Sequence, residues 1–301
     1  MSRKSKYRPY LETMPVVALL LFVLVFGILG AFVQSLGYFP FIGMKEITLE
    51  YYTKIFTNSS FLKSLSFTLY ISAISSIIAV VLGIIIASLI VSLKSKKEYI
   101  YKIPIVVPHI TVALFAITFL SDSGFFARII YSMGVKNAQE IFSNILFSSN
   151  GIGIILAYIW KETPYVMLTC LAVLKRLSSK HEMAAINLGA SKWYAFRKVT
   201  LPMLLPTILS VFTIIFSFSF GSYEIPMLLG ATVPKAIAVQ AFIEYQNPMM
   251  TNRPYAMAMN MVIIAFCVLF VLLFNTIIKR IVMNEKKLKN FRIKYKKGEK
   301  I

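Results

Sequence analysis

The residues of this chain that could do chemistry are charged or phenolic side chains within or beside long apolar stretches. Lys161 and Glu162 are adjacent within one such stretch, and Tyr223, Glu224 and Glu244 follow the next. An ionisable group at membrane depth is costly unless it faces protein or water, so these residues are candidate contacts for a solute. The carboxylates predict binding of a cationic solute on a translocation path, although Lys161 argues against a purely cation-selective lining. Alternatively, Lys161 and Glu162 pair structurally with other helices or with a partner subunit.

The chain offers no set of residues for catalysis or metal binding. It contains two His and two Cys, and Cys170 and Cys267 both lie in apolar stretches without metal-ligand spacing. His109 stands alone in another apolar stretch, where a hydrogen bond between helices explains it. No Gly is followed by Lys, which excludes a G-x-x-x-x-G-K-[ST] phosphate loop. We therefore expect no cofactor bound by this chain and no enzymatic activity.

The elements that carry these residues are long apolar segments. Hydrophobic residues make up 58% of the 301 residues and the mean hydropathy is +0.74, which is too apolar for a soluble domain. A membrane-spanning helix needs about 20 predominantly apolar residues. The sequence predicts an all-α membrane protein with six such helices, at residues 14–34, 66–93, 103–121, 152–174, 203–222 and 255–279.

The net charge of +20 is unevenly distributed. Most of the basic excess falls in segments 1–13, 94–102, 175–202 and 279–301, whereas the alternate segments are close to neutral. This alternation follows the positive-inside rule and predicts that both termini are cytoplasmic. It also excludes nucleic acid as a partner, because no basic-aromatic module accompanies the charge. We expect a cytoplasmic segment 1–13, a six-helix domain 14–280, and a basic cytoplasmic tail 281–301.

A polar, basic loop at about 176–202 separates two of the apolar segments. Its composition predicts two short helices, one starting near Glu182 and the other spanning 192–199, with a break at Gly189 and an N-cap at Ser191. Leu201 and Pro202 are expected to end the second helix before the next span. Such a loop is also typical of an interfacial amphipathic helix on the inner leaflet.

This loop resembles the coupling loop of ABC-importer permeases. The resemblance lies in the sequence pattern E-x-A-A-x-x-L-G-A-S-x-W-x-x-F-x-x-V-x-L-P. The match covers about twenty residues, and the segments around Trp160–Pro164, 223–230 and 244–259 resemble the spermidine/putrescine-type branch. Family members usually have Glu immediately before the Ala pair, where this chain has Met183. The resemblance implies a type I importer permease fold and the coupling-loop residues Glu182, Ala184, Ala185, Gly189, Ala190, Trp193, Phe196, Leu201 and Pro202.

The resemblance further implies three protein partners and a location in a bacterial inner or plasma membrane. The partners are a cytoplasmic ATPase dimer, a second permease that is homologous or identical, and an extracytoplasmic solute-binding protein. A polyamine such as spermidine or putrescine is the expected solute. Ferric iron, thiamine, sulfate and phosphonate are the alternatives within the family. An ion-coupled secondary transporter is the alternative from a different class, although neither an internal repeat nor paired interrupted helices is evident.

Overall fold

The computed structural model describes residues 8–94, 99–177 and 181–296, and within them it is helical and has no strand. Residues 1–7, 95–98, 178–180 and 297–301, which include parts of the predicted basic segments, lie outside the described residues. The α-helices are α1 (Arg8–Ser35), α2 (Glu50–Thr57), α3 (Ser59–Ser92), α4 (Ile103–Val106), α5 (His109–Leu120), α6 (Phe125–Ser132), α7 (Ala138–Ser143), α8 (Ile152–Leu177), α9 (His181–Asn187), α10 (Lys192–Ala195), α11 (Leu201–Gly221), α12 (Glu224–Leu229), α13 (Ile237–Tyr245) and α14 (Arg253–Lys296).

Five helical segments of the described chain are long and apolar enough to cross a membrane: Tyr10–Ser35, Ser59–Ser92, His109–Ser132, Lys192–Gly221 and Met250–Val282. The sequence also predicts a span at 152–174. The structure has the 26-residue helix α8 at this place, but α8 is not among the five segments that are apolar enough to cross a membrane. Lys161, Glu162 and Pro164 explain the difference, because they lower the mean hydropathy of a helix that is otherwise apolar.

The prediction of one continuous helix at 103–121 is wrong. This segment is divided into α4 and α5 at Val107, which is extended at φ −72° and ψ 126°, and at Pro108. Proline has no backbone N–H and disfavours helical conformation in the residue before it, which explains the break. Between residues 122 and 151 the structure has two short helices, α6 and α7, and after Tyr223 the chain forms the short helices α12 and α13 before α14.

The described chain divides into two compact units. The first comprises residues 1–62 and 240–264. Within it, Ser35 Oγ and Tyr52 Oη are 2.7 Å apart, and Asn58 Nδ2 donates a hydrogen bond to Tyr255 Oη at 3.3 Å. Ile55 is fully buried. These contacts join α2 to the end of α1 and the beginning of α14.

The second unit comprises residues 63–239 and 265–301 and contains two apolar clusters. In one cluster α3, α5, α8 and α12 meet around the fully buried Tyr158. In the other, α3, α8 and α11 meet around Met167, Leu174 and Leu204. Small residues allow membrane helices to approach closely, and Gly83 of α3 faces Val166 of α8 with no room for a side chain.

Aromatic rings also pack between α11 and α14 in this unit. Phe216 and Phe270 stack with ring centroids 4.1 Å apart, and Phe220 and Phe266 stack at 4.4 Å. Offset-stacked aromatic pairs contribute beyond their buried area. Hence α11 has one face on α8 and another on α14.

Candidate functional site

The loop between α8 and α11 forms two short helices, α9 and α10, which we call the two-helix loop (residues 181–200). α9 ends in a pair of backbone hydrogen bonds, from Gly189 N to Ile186 O at 2.9 Å and from Ala190 N to Ala185 O at 3.1 Å. Gly189 has φ +92°, the left-handed conformation that this helix end requires and that glycine adopts without strain. The predicted break at Gly189 is confirmed.

The second helix of the loop begins at the predicted residue but does not end where expected. Ser191 is its N-cap, and its Oγ accepts a hydrogen bond from Tyr194 N at 3.2 Å. A π-helical segment, Phe196–Thr200, then continues into α11. The expectation that Leu201 and Pro202 end this helix is therefore wrong. Pro202 lies in the first turn of α11, where its missing N–H is tolerated, and the wider π turn accommodates it.

A hydrogen bond closes the base of the two-helix loop. Thr200 Oγ1 donates to Glu182 Oε2 at 3.0 Å, and Thr200 is only 3% exposed. Ala195, in the preceding helix α10, is fully buried. Sequence reasoning named Glu182 but missed Thr200, because only the fold brings two residues 18 positions apart into contact.

The two-helix loop exposes several large apolar side chains beside its polar and basic ones. Leu188 is 89% exposed and Trp193 is 70% exposed, and Met183 and Tyr194 are also more than half exposed. Trp193 stacks on the half-buried Phe196 with ring centroids 6.0 Å apart. Of the other predicted loop residues, Ala184, Gly189 and Pro202 are exposed, and Ala185, Ala190 and Leu201 are half-buried. Exposed apolar side chains on a polar loop are typical of a surface that docks another protein.

The predicted path residues Lys161 and Glu162 are both 8% exposed, midway along α8. Lys161 Nζ donates to the backbone oxygens of Pro104, Ile105 and Val107, at 2.8, 2.9 and 2.5 Å. Its ammonium is thus held by the broken segment between α4 and α5. Sequence reasoning did not foresee these acceptors, although the Val107–Pro108 dipeptide marks where carbonyl groups would be freed.

The predicted path residue Glu224 lies in the first turn of α12, directly after Tyr223. Its carboxylate oxygen is 3.9 Å from His109 Nδ1 at the start of α5, and the His109 ring packs on Phe218 at 4.8 Å. Nearby, Tyr158 Oη donates to Ser219 O at 3.5 Å. The structure therefore groups Glu224 with His109, a residue that the sequence suggested only as a packing residue.

Glu244, the remaining predicted path residue, belongs to the first compact unit. Its Oε2 accepts a hydrogen bond from Asn252 Nδ2 at 3.5 Å. Close by, the Arg253 guanidinium lies 4.1 Å from the centroid of the Tyr245 ring. Within the described residues, no group of three or more His, Cys, Asp and Glu could hold a metal ion.

An apolar cavity of about 720 Å³ lies beside the Lys161 contacts. Its walls include Pro104 and Val112 on one side, and Trp160, Pro164 and Met167 of α8 on another. The cavity therefore lies where α4, α5 and α8 meet.

The sequence and the fold are both similar to known transport proteins. A family model described as "Binding-protein-dependent transport system inner membrane component" matches residues 79–283. The chain is 30% identical over 145 residues to a Chlorella vulgaris protein named as a probable sulfate transport system permease, covering 48% of this chain and 51% of that protein. It is 23% identical over 241 residues to the sulfate transport system permease protein CysT of Escherichia coli (strain K12), covering 79% and 83%.

Two solved structures share the fold. One is the crystal structure of a bacterial ABC transporter involved in the import of the acidic polysaccharide alginate, with a TM-score of 0.71, 20% identity, and 92% and 96% of the two chains covered. The other is a bacterial alginate ABC transporter in complex with an alginate pentasaccharide-bound periplasmic protein, with a TM-score of 0.66, 20% identity, and 92% and 98% covered. At this identity the likeness concerns the fold alone.

Proposed function

The chain belongs to the family of binding-protein-dependent transport system inner membrane components, and we propose that it is the permease subunit of an ATP-driven importer that carries a small anion, with sulfate as the first candidate. In this role it receives the solute from an extracytoplasmic binding protein. A separate ATPase supplies the energy, and a second permease completes the path. No bond in the solute is made or broken.

The two-helix loop carries this proposal. It is rigid, because a hydrogen-bonded turn at Gly189, an N-cap at Ser191 and the contact between Glu182 and Thr200 fix its shape. It also exposes Leu188 and Trp193, which make a large apolar surface available to a partner. Rigid surfaces bind with a smaller entropy cost, so this loop is suited to dock an ATPase. Its continuity with α11 provides a path from that dock into the membrane helices.

Two considerations support sulfate over the polyamine expected from the sequence. Both relatives described above are named for sulfate transport, and neither name supports a polyamine. Two of the three acidic residues behind the polyamine expectation also have other contacts, since Glu224 lies against His109 and Glu244 accepts from Asn252. A small inorganic anion is therefore the solute class that we propose to test first.

The first experiment tests docking with a matched pair of glycine variants. Gly189 and Gly134 have φ +92° and +97°, and a methyl group added at either would meet no atom within 4 Å, so valine strains the backbone similarly at both. In the complete complex, Gly189→Val is expected to lose the co-purified ATPase, and Gly134→Val to retain it. Equal retention by both variants would count against docking at this loop.

The second experiment tests the solute. Calorimetry on the cognate binding protein, followed by uptake into proteoliposomes, is expected to show sulfate binding and ATP-dependent sulfate uptake, with no response to spermidine. Spermidine binding without sulfate binding would overturn the solute proposal and leave the permease assignment intact. Uptake without the ATPase, driven by an ion gradient, would instead favour a secondary transporter.

A further inference from the structure

The surroundings of Lys161 suggest a role beyond solute contact. An ammonium group has three donors, and Lys161 directs its nitrogen at three backbone oxygens, those of Pro104, Ile105 and Val107. A buried charge is unfavourable unless it is paired or hydrogen-bonded, and here the acceptors come from a different helix. Lys161 thus fastens α8 to the segment that precedes α5.

Those oxygens are available because the helix is broken. In a continuous helix the N–H of residue 108 would donate to Pro104 O, but Pro108 has no N–H. Val107 is extended, so α5 starts anew at His109 and leaves the carbonyl groups at the end of α4 without their helical donors. The cation of Lys161 replaces those donors and also complements the negative end of the helix dipole.

The two sides of the break have different neighbours. α4 packs on α8, to which Lys161 ties it, whereas α5 packs on α12 as well as α8, and His109 lies beside Glu224. The apolar cavity lies between Pro104 of α4, Val112 of α5 and Trp160 of α8, so there is space where these helices meet. A change in the angle between α4 and α5 therefore requires little repacking there.

α8 also connects this break to the two-helix loop. Its buried residues Met167, Leu171 and Leu174 share an apolar cluster with Leu204 and Val211 of α11. α11 is continuous with the π-helical segment, whose last residue, Thr200, binds Glu182 of α9. A contiguous set of packed elements thus runs from the loop through α11 and α8 to Lys161 and α4.

We propose that Lys161 is a positioning residue that transmits movement of the two-helix loop to the break between α4 and α5, so that this break acts as a hinge of the translocation path. The proposal rests on the proposed function, because it requires an ATPase that moves the loop. Lys161 itself touches no solute in this role. Its importance lies in the charge and the three hydrogen bonds that hold α4 to α8.

The test compares Lys161→Met, which keeps most of the side-chain length and removes the donors, with Lys161→Arg, which keeps charge and donors. Each is measured in the complete complex with its ATPase and binding protein, for ATP hydrolysis and for solute uptake. We expect Lys161→Met to retain the ATPase and hydrolyse ATP within about twofold of the wild type, with uptake lowered at least about tenfold. Lys161→Arg is expected to restore at least about half of the uptake, and Lys136→Met, at an exposed site, to change neither rate.

Two outcomes would overturn the inference. One is unchanged uptake in Lys161→Met, and the other is an equal fall in hydrolysis and uptake that arginine does not rescue, which indicates a structural role alone. A wild-type complex that never retains an ATPase would instead contradict the proposed function.

A second measurement leaves Lys161 in place. Val106, at the end of α4, is 83% exposed. In a background without Cys170 and Cys267, the labelling rate of Val106→Cys is expected to differ at least about threefold between the nucleotide-free and ATP-bound complexes. Equal rates in the two states would overturn the hinge, even if Lys161→Met failed to fold.

Discussion

At the scale of single residues, the chain holds its two-helix loop with a contact that the usual family motif does not indicate. Met183 stands where relatives usually have Glu, and it is exposed, whereas Glu182 turns to Thr200 at the loop base. The acidic residue therefore stabilises the loop from within. The exposed position beside it, Met183, is instead apolar.

Thr200→Val tests this contact while preserving side-chain volume. We expect it to weaken retention of the ATPase roughly fivefold, because a net hydrogen bond contributes about 1 kcal/mol and a less ordered loop binds at greater entropic cost. Titration of the purified permease complex with ATPase measures the effect. Thr200→Ser keeps the hydroxyl group and serves as the control. Equal affinities for the two variants would contradict the contact's role.

The residues of the loop that could be predicted are those whose function is local. Gly189 and Ser191 act on backbone within a few positions, so their residue types were sufficient. Thr200 and the oxygens bound by Lys161 could not be predicted, because their partners lie 18 and more than 50 positions away. Long-range contacts of this kind depend on how helices pack, which a single sequence does not specify.

At the scale of elements, α3 and α8 approach each other closely at Gly83. A methyl group added at Gly83 would come within 2.6 Å of Val166 Cβ and 3.0 Å of Met167 N. The helices could accommodate it only by separating. This crossing lies in the same cluster as Leu204 of α11, so it supports the packing that joins α8 to the loop.

Gly83→Ala is accordingly expected to destabilise the protein by about 1–3 kcal/mol, the usual range for overpacking a well-packed contact. Thermal unfolding in detergent, followed by size-exclusion chromatography, measures it as a lower midpoint temperature. Gly221→Ala is the control, since a methyl group there meets no atom within 4 Å. A midpoint as low for Gly221→Ala would refute the steric explanation.

Proline is the residue whose effect on the elements was hardest to predict. Pro108 breaks a helix that the apolar pattern predicts as continuous, whereas Pro202 is accommodated in a helix that was expected to stop. Both prolines lack a backbone N–H. The difference is that Pro202 follows a π turn and lies in a first helical turn, and Pro108 follows an extended Val107. Sequence does not reveal which of these backbones a proline will join.

At the scale of the whole molecule, the apolar pattern predicts the spans well but leaves their orientation to be tested. The topology depends on α8. The described chain has five strongly apolar helices, and α8 is a sixth membrane span only if its charged residues are tolerated within the membrane. Met133 and Leu188 are both exposed and lie on either side of α8 in sequence. If α8 crosses the membrane, they lie on opposite faces.

We expect an impermeant maleimide to label Met133→Cys in intact cells, and Leu188→Cys only after permeabilisation. Cys170 is buried and Cys267 is half-buried, and both are replaced to remove background. This outcome would place the two-helix loop in the cytoplasm, as the positive-inside rule predicts. Labelling of both cysteines in intact cells would show that α8 does not cross.

The π-helical segment Phe196–Thr200 also determines which way the loop faces. Each residue of an α-helix turns the chain by about 100°, and a π turn absorbs roughly one residue more than an α turn. If the same residues formed α turns throughout, Trp193 would be rotated by about a quarter circle relative to Leu204. Thus the number of residues in one turn sets the angle between the apolar surface offered to a partner and the face buried in the membrane domain.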